Sequence, residues 1–139
     1  MSRRKAREYA FKVIFQVDQV SASPRTAFDY LLQENHLEDK SCSFAWELIQ
    51  GCIKNLPEID SKIASYSRDW TVARMSSVDR NIMRIAAYEI LYADNLQPVI
   101  AINEAIEISK KYGDENSASF INAILDRIRK EKKESIPQE

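Results

Sequence analysis

Apolar residues recur at three- and four-residue spacing along nearly the whole chain, and no other pattern constrains its fold as strongly. Ala6, Ala10, Val13, Ile14 and Val17 mark one helical face at the start. Ala27, Leu31 and Leu32 follow behind Ser23-Pro24, which supplies a cap and a first-turn proline. The polar stretch Asn35 to Lys40 reads as a loop, after which Ala45, Leu48, Ile49, Cys52 and Leu56 form a third stripe. Pro57 cannot continue that helix but can open the next, whose buried side carries Ile59 and Ile63. Ser76 and Asp79 have the spacing of a capping box, so a fifth helix starts there. It carries Ile82, Met83, Ile85, Ala86, Ala87, Ile90 and Leu91, apolar on more than one side, and belongs in the middle of a bundle. Asn95 to Pro98 makes a turn, and Ile102, Ala105 and Ile106 line a helix with Gly113 as its C-terminal cap. The last helix begins near Asn116 and turns Phe120, Ile121, Ile124, Leu125 and Ile128 inward.

Two glycines and four prolines in 139 residues are too few for the tight turns of a sandwich or barrel. The expectation is an all-α fold of about seven helices in two small packed helical bundles. Residues 1–132 read as one domain whose subdomains meet near 70–77, in the segment Trp70 to Ser77. The remainder, 133–139, has no apolar face and reads as a disordered tail.

Several function classes are excluded. Phosphate-cradling loops need clustered glycines, and Gly51 and Gly113 stand alone. The sole histidine, His36, lies in a polar loop without a nucleophile pattern around it. Glu104 and Glu107 share a helix face but have no histidine partner for a di-metal site, so neither metal nor cofactor is expected. Cys42 and Cys52 read as reduced thiols. No apolar run could span a bilayer, and Arg7, Glu8 and Lys12 interrupt any signal-peptide reading, which places the chain in the cytoplasm. No catalytic constellation emerges, so the chain is not expected to be an enzyme.

With a net charge of −1, attraction to a polyanion must come from a local patch. The N-terminus supplies one: Arg3, Arg4, Lys5 and Arg7 fall within two helical turns. Cations oppose the dipole at a helix start, which points to an external anion as their partner, and arginine's planar fork suits phosphate. A solvated charge run is the plain alternative. Tyr9, Phe11, Phe15 and Phe120 are the aromatic rings on which unpaired bases could stack, although rings at helical spacing are more often core.

Three strings resemble the NusB family of antitermination factors. RRKAREYAFKVIFQ is similar to its opening helix, VDRNIMRIAAYEIL to its central helix, and PVIAINEAIEISKKYGDENSASFINAILDRI to its last two helices. The resemblance implies two small helical bundles and a non-catalytic adaptor. Such an adaptor pairs with NusE (a small-subunit ribosomal protein) and grips boxA RNA. With NusA and NusG it makes RNA polymerase resistant to termination on ribosomal RNA operons. It implies phosphate contacts at Arg3, Arg4, Lys5 and Arg7, and a second RNA contact at Asn116, Ser119 and Phe120, where helix-terminal amides would help. A NusE-facing surface would lie near Phe15 and Asp79. Four neutralised phosphates on a single strand correspond to a log–log salt slope of about −3. Asn116 stands where some relatives are acidic, so it should repel RNA less.

Arg84, Tyr88, Glu89, Asn103 and Glu104 are polar residues in apolar helices and read as interhelical fasteners. Two other functions fit the residues. One is a stand-alone relative of the NusB-like domain that precedes a ribosomal RNA methyltransferase; the other is a module that binds only protein. A monomer and a homodimer that hides its RNA face are both compatible with the sequence.

Overall fold

A computed structural model describes residues 2–67, 71–93 and 97–135, and among them every regular element is a helix. These are α1 (Ser2–Val20), α2 (Pro24–Glu34), α3 (Asp39–Lys54), α4 (Leu56–Ser65), α5 (Ser77–Tyr92), α6 (Pro98–Tyr112) and α7 (Ser117–Ser135), with a 3₁₀ turn at Val72–Arg74. Trp70, Asn95 and residues 136–139 lie outside the described residues.

The boundaries follow from local chemistry. Ser23 Oγ accepts from the Thr26 amide at 3.4 Å and Pro24 opens α2 with a φ suited to its first turn. Ser76 Oγ accepts from the Asp79 amide at 3.3 Å and starts α5. Gly113 does cap α6, but with extended backbone, φ −92° and ψ −172°. Close approach is what demands glycine there, since a Cβ would fall 2.4 Å from Ser117 Oγ and 2.9 Å from the Ser109 carbonyl. Helix α7 runs on through Lys133 to Ser135, where the sequence reading begins a disordered tail. Contacts that spacing does not reveal hold this end: Lys132 Nζ donates to the Ile90 carbonyl at 2.6 Å, and Glu131 binds Lys62 and Tyr66 of the α4 end.

Helix α1 lies against α2 and α3, while α6 and α7 lie against α5, giving two small bundles. Helix α5 joins them, packing also on α1, α3 and α4. Its residues from Asp79 to Ile90 are all buried, as the all-round apolar pattern required. Ile82, Met83 and Ile90 meet Leu48, Ile49, Ile59, Ile63, Ile121 and Leu125 in one core. Each such side chain contributes about 1.5–3 kcal/mol by leaving water.

Polar groups in α5 are met from other helices. Glu89 accepts from Arg7 of α1 in a forked pair, Nε at 3.0 and 3.1 Å and Nη2 at 2.9 Å. Arg84 grips Asp60 of α4 with two bonds of 2.8 Å and Asn81 with one of 3.0 Å. Asp18, near the end of α1, accepts from Arg80 at 2.6 and 3.1 Å and from Asn81 at 2.9 Å. Arg84 and Glu89 thus do fasten helices, as does Glu104, which accepts from Arg4 of α1 at 2.7 Å, and Tyr88 packs its ring over Gly51, where a Cβ would sit 2.2 Å from it. Asn103 does not; it lies on the exposed face of α6, opposite Ile102 and Ala105.

Arg7→Met leaves the Glu89 carboxylate buried without its partner and should cost about 3–5 kcal/mol in urea unfolding, while Arg7→Met with Glu89→Leu should recover most of it. Burial alone would raise the Asp18 carboxyl, but the bonds from Asn81 and Arg80 and the charges of Arg80 and Arg84 outweigh it, leaving a pKa of about 2. A depressed carboxyl stabilises the fold above its unfolded pKa and loses that contribution as pH falls through the folded one. Roughly 1–2 kcal/mol should therefore disappear between about pH 4 and pH 2. Asp18→Asn should remove this part of the pH dependence in acid-unfolding curves.

Candidate nucleic-acid interface

The first turn of α1 presents Arg3, Arg4 and Lys5 to solvent. Arg7 does not join them. It is 4% exposed, because it shares the inward stripe of Ala6 and Ala10 and its fork is taken by Glu89. As a phosphate contact Arg7 is therefore replaced by a structural role.

The three remaining cations differ in their surroundings. The Arg3 guanidinium lies 4.3 Å from the centre of the Phe44 ring of α3, a cation–π arrangement that keeps its hydrogen-bonding edge open. Arg4 reaches across to α6, where Glu104 accepts from Nε at 2.7 Å and from Nη2 at 3.2 Å. Lys5 makes no ion pair among the described residues.

Beyond this end, α1 and α6 run side by side in the same direction. Arg4 pairs with Glu104, and one turn further Glu8 accepts from Lys111 at 3.0 and 3.2 Å and from the Tyr112 hydroxyl at 2.7 Å. Burial acts to raise the Glu8 carboxyl, but the bonds from Tyr112 and Lys111 prevail and lower it. The Tyr112 ring also packs against Phe11, with centroids 5.3 Å apart. This seam leads from the arginine-rich end toward the turn between α6 and α7.

In that turn Asn116 and Ser119 are exposed and Phe120 is half-buried against the core. Asp114 Oδ1 accepts from the Asn116 amide at 2.8 Å, Ser117 Oγ accepts from the Asp114 amide at 3.0 Å, and the Ser119 hydroxyl donates to the Asn116 carbonyl at 3.2 Å. The Asn116 amide is thus already satisfied within the turn. What the turn offers is the Asn116 side chain, the Ser119 hydroxyl and the exposed part of Phe120.

The two residues assigned to a protein partner stand on α1 and on the first turn of α5, which meet through Asp18 and Gln19 against Ser77, Arg80 and Asn81. Phe15 is half-buried beside Phe11, with ring centres 6.0 Å apart. Asp79 is 7% exposed, so it offers a partner little surface. Its Oδ1 has no hydrogen-bond partner, and burial raises its carboxyl, with Asp114 adding to the rise and Ser117 opposing it. The first turn of α5 lies beneath the start of α7, and that cover comes from tertiary packing that local spacing does not encode.

Sequence reasoning missed Phe44, Lys111 and Tyr112, and read Glu104 only as a fastener. The run Lys110-Lys111-Tyr112 before Gly113 was the available signal, since cations favour the last turn of a helix.

Comparison with known proteins agrees with this architecture. The model of the NusB family matches residues 4–130. Transcription antitermination protein NusB of Syntrophomonas wolfei is 65% identical over 132 residues, spanning 95% of this chain and 98% of that protein. A solved structure of T. maritima NusB superposes with a TM-score of 0.87 at 39% identity, covering 94% of this chain and 92% of that one. A crystal structure of antitermination factors NusB and NusE in complex with double-stranded RNA matches with a TM-score of 0.86 at 26% identity, covering 94% and 97%. A family match over almost all of the folded chain, together with these relatives, shows that the protein belongs to the NusB family.

Proposed function

We propose that this chain acts in transcription antitermination as a non-catalytic adaptor that binds RNA together with NusE. The observation that carries the reading is an exposed basic end of α1 joined by a seam to a polar turn, on a fold that matches a NusB in complex with NusE and double-stranded RNA. Arg3, Arg4 and Lys5 supply phosphate contacts, and Asn116, Ser119 and Phe120 meet bases or sugars at the start of α7. The RNA is boxA of ribosomal RNA operons, and NusA, NusG and RNA polymerase complete the assembly in the cytoplasm. No helix among the described residues is long and apolar enough to cross a membrane.

NusE docks near Phe15. With Asp79 buried, its part in that contact is to support the α6–α7 turn from below, which couples the partner surface to the RNA-reading turn. Residues 1–132 work as one domain with subdomains meeting near 70–77, because α5 is shared between the bundles.

The burial of Arg7 changes the expected electrostatics. Three exposed cations set a ceiling of about −2 on the log–log salt slope for single-stranded RNA, where four would give about −3. Fluorescence anisotropy of labelled boxA RNA, with and without NusE and beside a scrambled RNA, tests the function. Preferential binding that tightens with NusE and weakens with salt is the expected result; equal or absent binding to both RNAs would defeat it. Arg3→Ala should lower the slope by about 0.7. Asn116→Asp places a charge beside the RNA and should weaken boxA binding, and an unchanged affinity would remove Asn116 from the site.

A further inference from the structure

We propose that Glu104 is a built-in anion that occupies Arg4 in the free protein and holds RNA affinity below what the basic end of α1 would otherwise give. The proposal rests on the RNA-binding reading above and assigns a tempering role to a residue outside the phosphate contacts.

The geometry carries it. Glu104 takes the Nε–Nη2 edge of Arg4, the edge that matches a phosphate with two parallel bonds. The carboxylate is set into the seam, its side chain 16% exposed, while Arg4 leans over it at 58%. More than half of the Arg4 side chain remains exposed, so a phosphate has two routes. It can displace Glu104, or it can bind Arg4 from the far side with a carboxylate close behind. Both routes set the incoming charge against that of Glu104, across an arginine that is itself solvent-exposed, so the opposition is moderate and falls with added salt.

The neighbouring cations show that this pairing is not a general property of the patch. Arg3 rests on the Phe44 ring and Lys5 has no ion pair among the described residues. Further along the seam the arrangement recurs crosswise, with Glu8 of α1 set beneath Lys111 of α6, their side chains 16% and 61% exposed. The seam is therefore neutralised from beneath, and Arg3 and Lys5 are left to attract RNA. Counterions leave the RNA where a phosphate is neutralised, and the carboxylate behind Arg4 offsets that neutralisation, so Arg4 adds less to the salt dependence than its exposure implies.

Glu104→Gln separates charge from orientation, because its amide oxygen can still accept from Arg4 Nε. Glu107→Gln is the control: it removes a carboxylate from the same helix, one paired with Lys110 at 3.5 Å, whose charge acts on Arg4 only weakly beside that of Glu104. Both variants and the wild type would be titrated against boxA and scrambled RNA, with NusE present, at several salt concentrations and after thermal melts confirm unchanged folding.

Glu104→Gln should bind both RNAs about three- to tenfold tighter, with a salt slope steeper by about 0.7, while Glu107→Gln should change affinity less than about twofold. Unchanged or weaker binding by Glu104→Gln, or an equal gain in Glu107→Gln, would overturn the proposal and leave the RNA reading standing. A wild type that binds neither RNA would overturn both.

Discussion

Helix α5 can be buried only because its charges are met by other helices, and the rest of the architecture depends on how. Residues Asp79 to Ile90 leave water together, and among them are Arg80, Arg84 and Glu89. An uncompensated charge in such a place costs several kcal/mol, more than one well-packed aliphatic side chain returns. Arg7, Asp18 and Asp60 therefore select which helices may surround α5 and at what rotation. Apolar packing supplies most of the stabilisation; the ion pairs select among ways of packing similar stripes.

The same requirement shapes the surface. Turning Arg7 inward toward Glu89 fixes the roll of α1, which sends Arg3 over Phe44 and Arg4 across to α6. The face proposed for RNA is thus a by-product of how α1 is fastened to the core. It is also less basic than its sequence, because Glu104 and Glu8 sit under two of its cations.

Much of the fold was legible in the sequence because helix period, caps and prolines are local. Ser23-Pro24, Ser76 and Pro98 mark starts that the structure places within a residue. Pairings between distant positions were not legible. Arg7 read as a fourth surface cation, although it stands three residues before Ala10 and seven before Ile14, within the apolar stripe; its partner is 82 positions away. Asp79 has the same relation to Ile82 and Ala86. In both cases a polar residue in phase with an apolar stripe was read by its chemistry when its phase held the better information. The extent of α7 escaped for a similar reason: its last turns, which have no apolar face, were held by Ile90, Lys62 and Tyr66.

Helix α1 is clamped to α5 at Arg7 and again at Asp18, eleven residues or about 16 Å apart. A rod held at two such points can neither roll nor slide along its support. The cations just ahead of the first clamp are therefore carried on a stiff prong whose backbone is ordered before any ligand arrives. Recognition there needs only side chains to settle, so the entropic cost of shaping the binding surface falls on folding and not on the encounter.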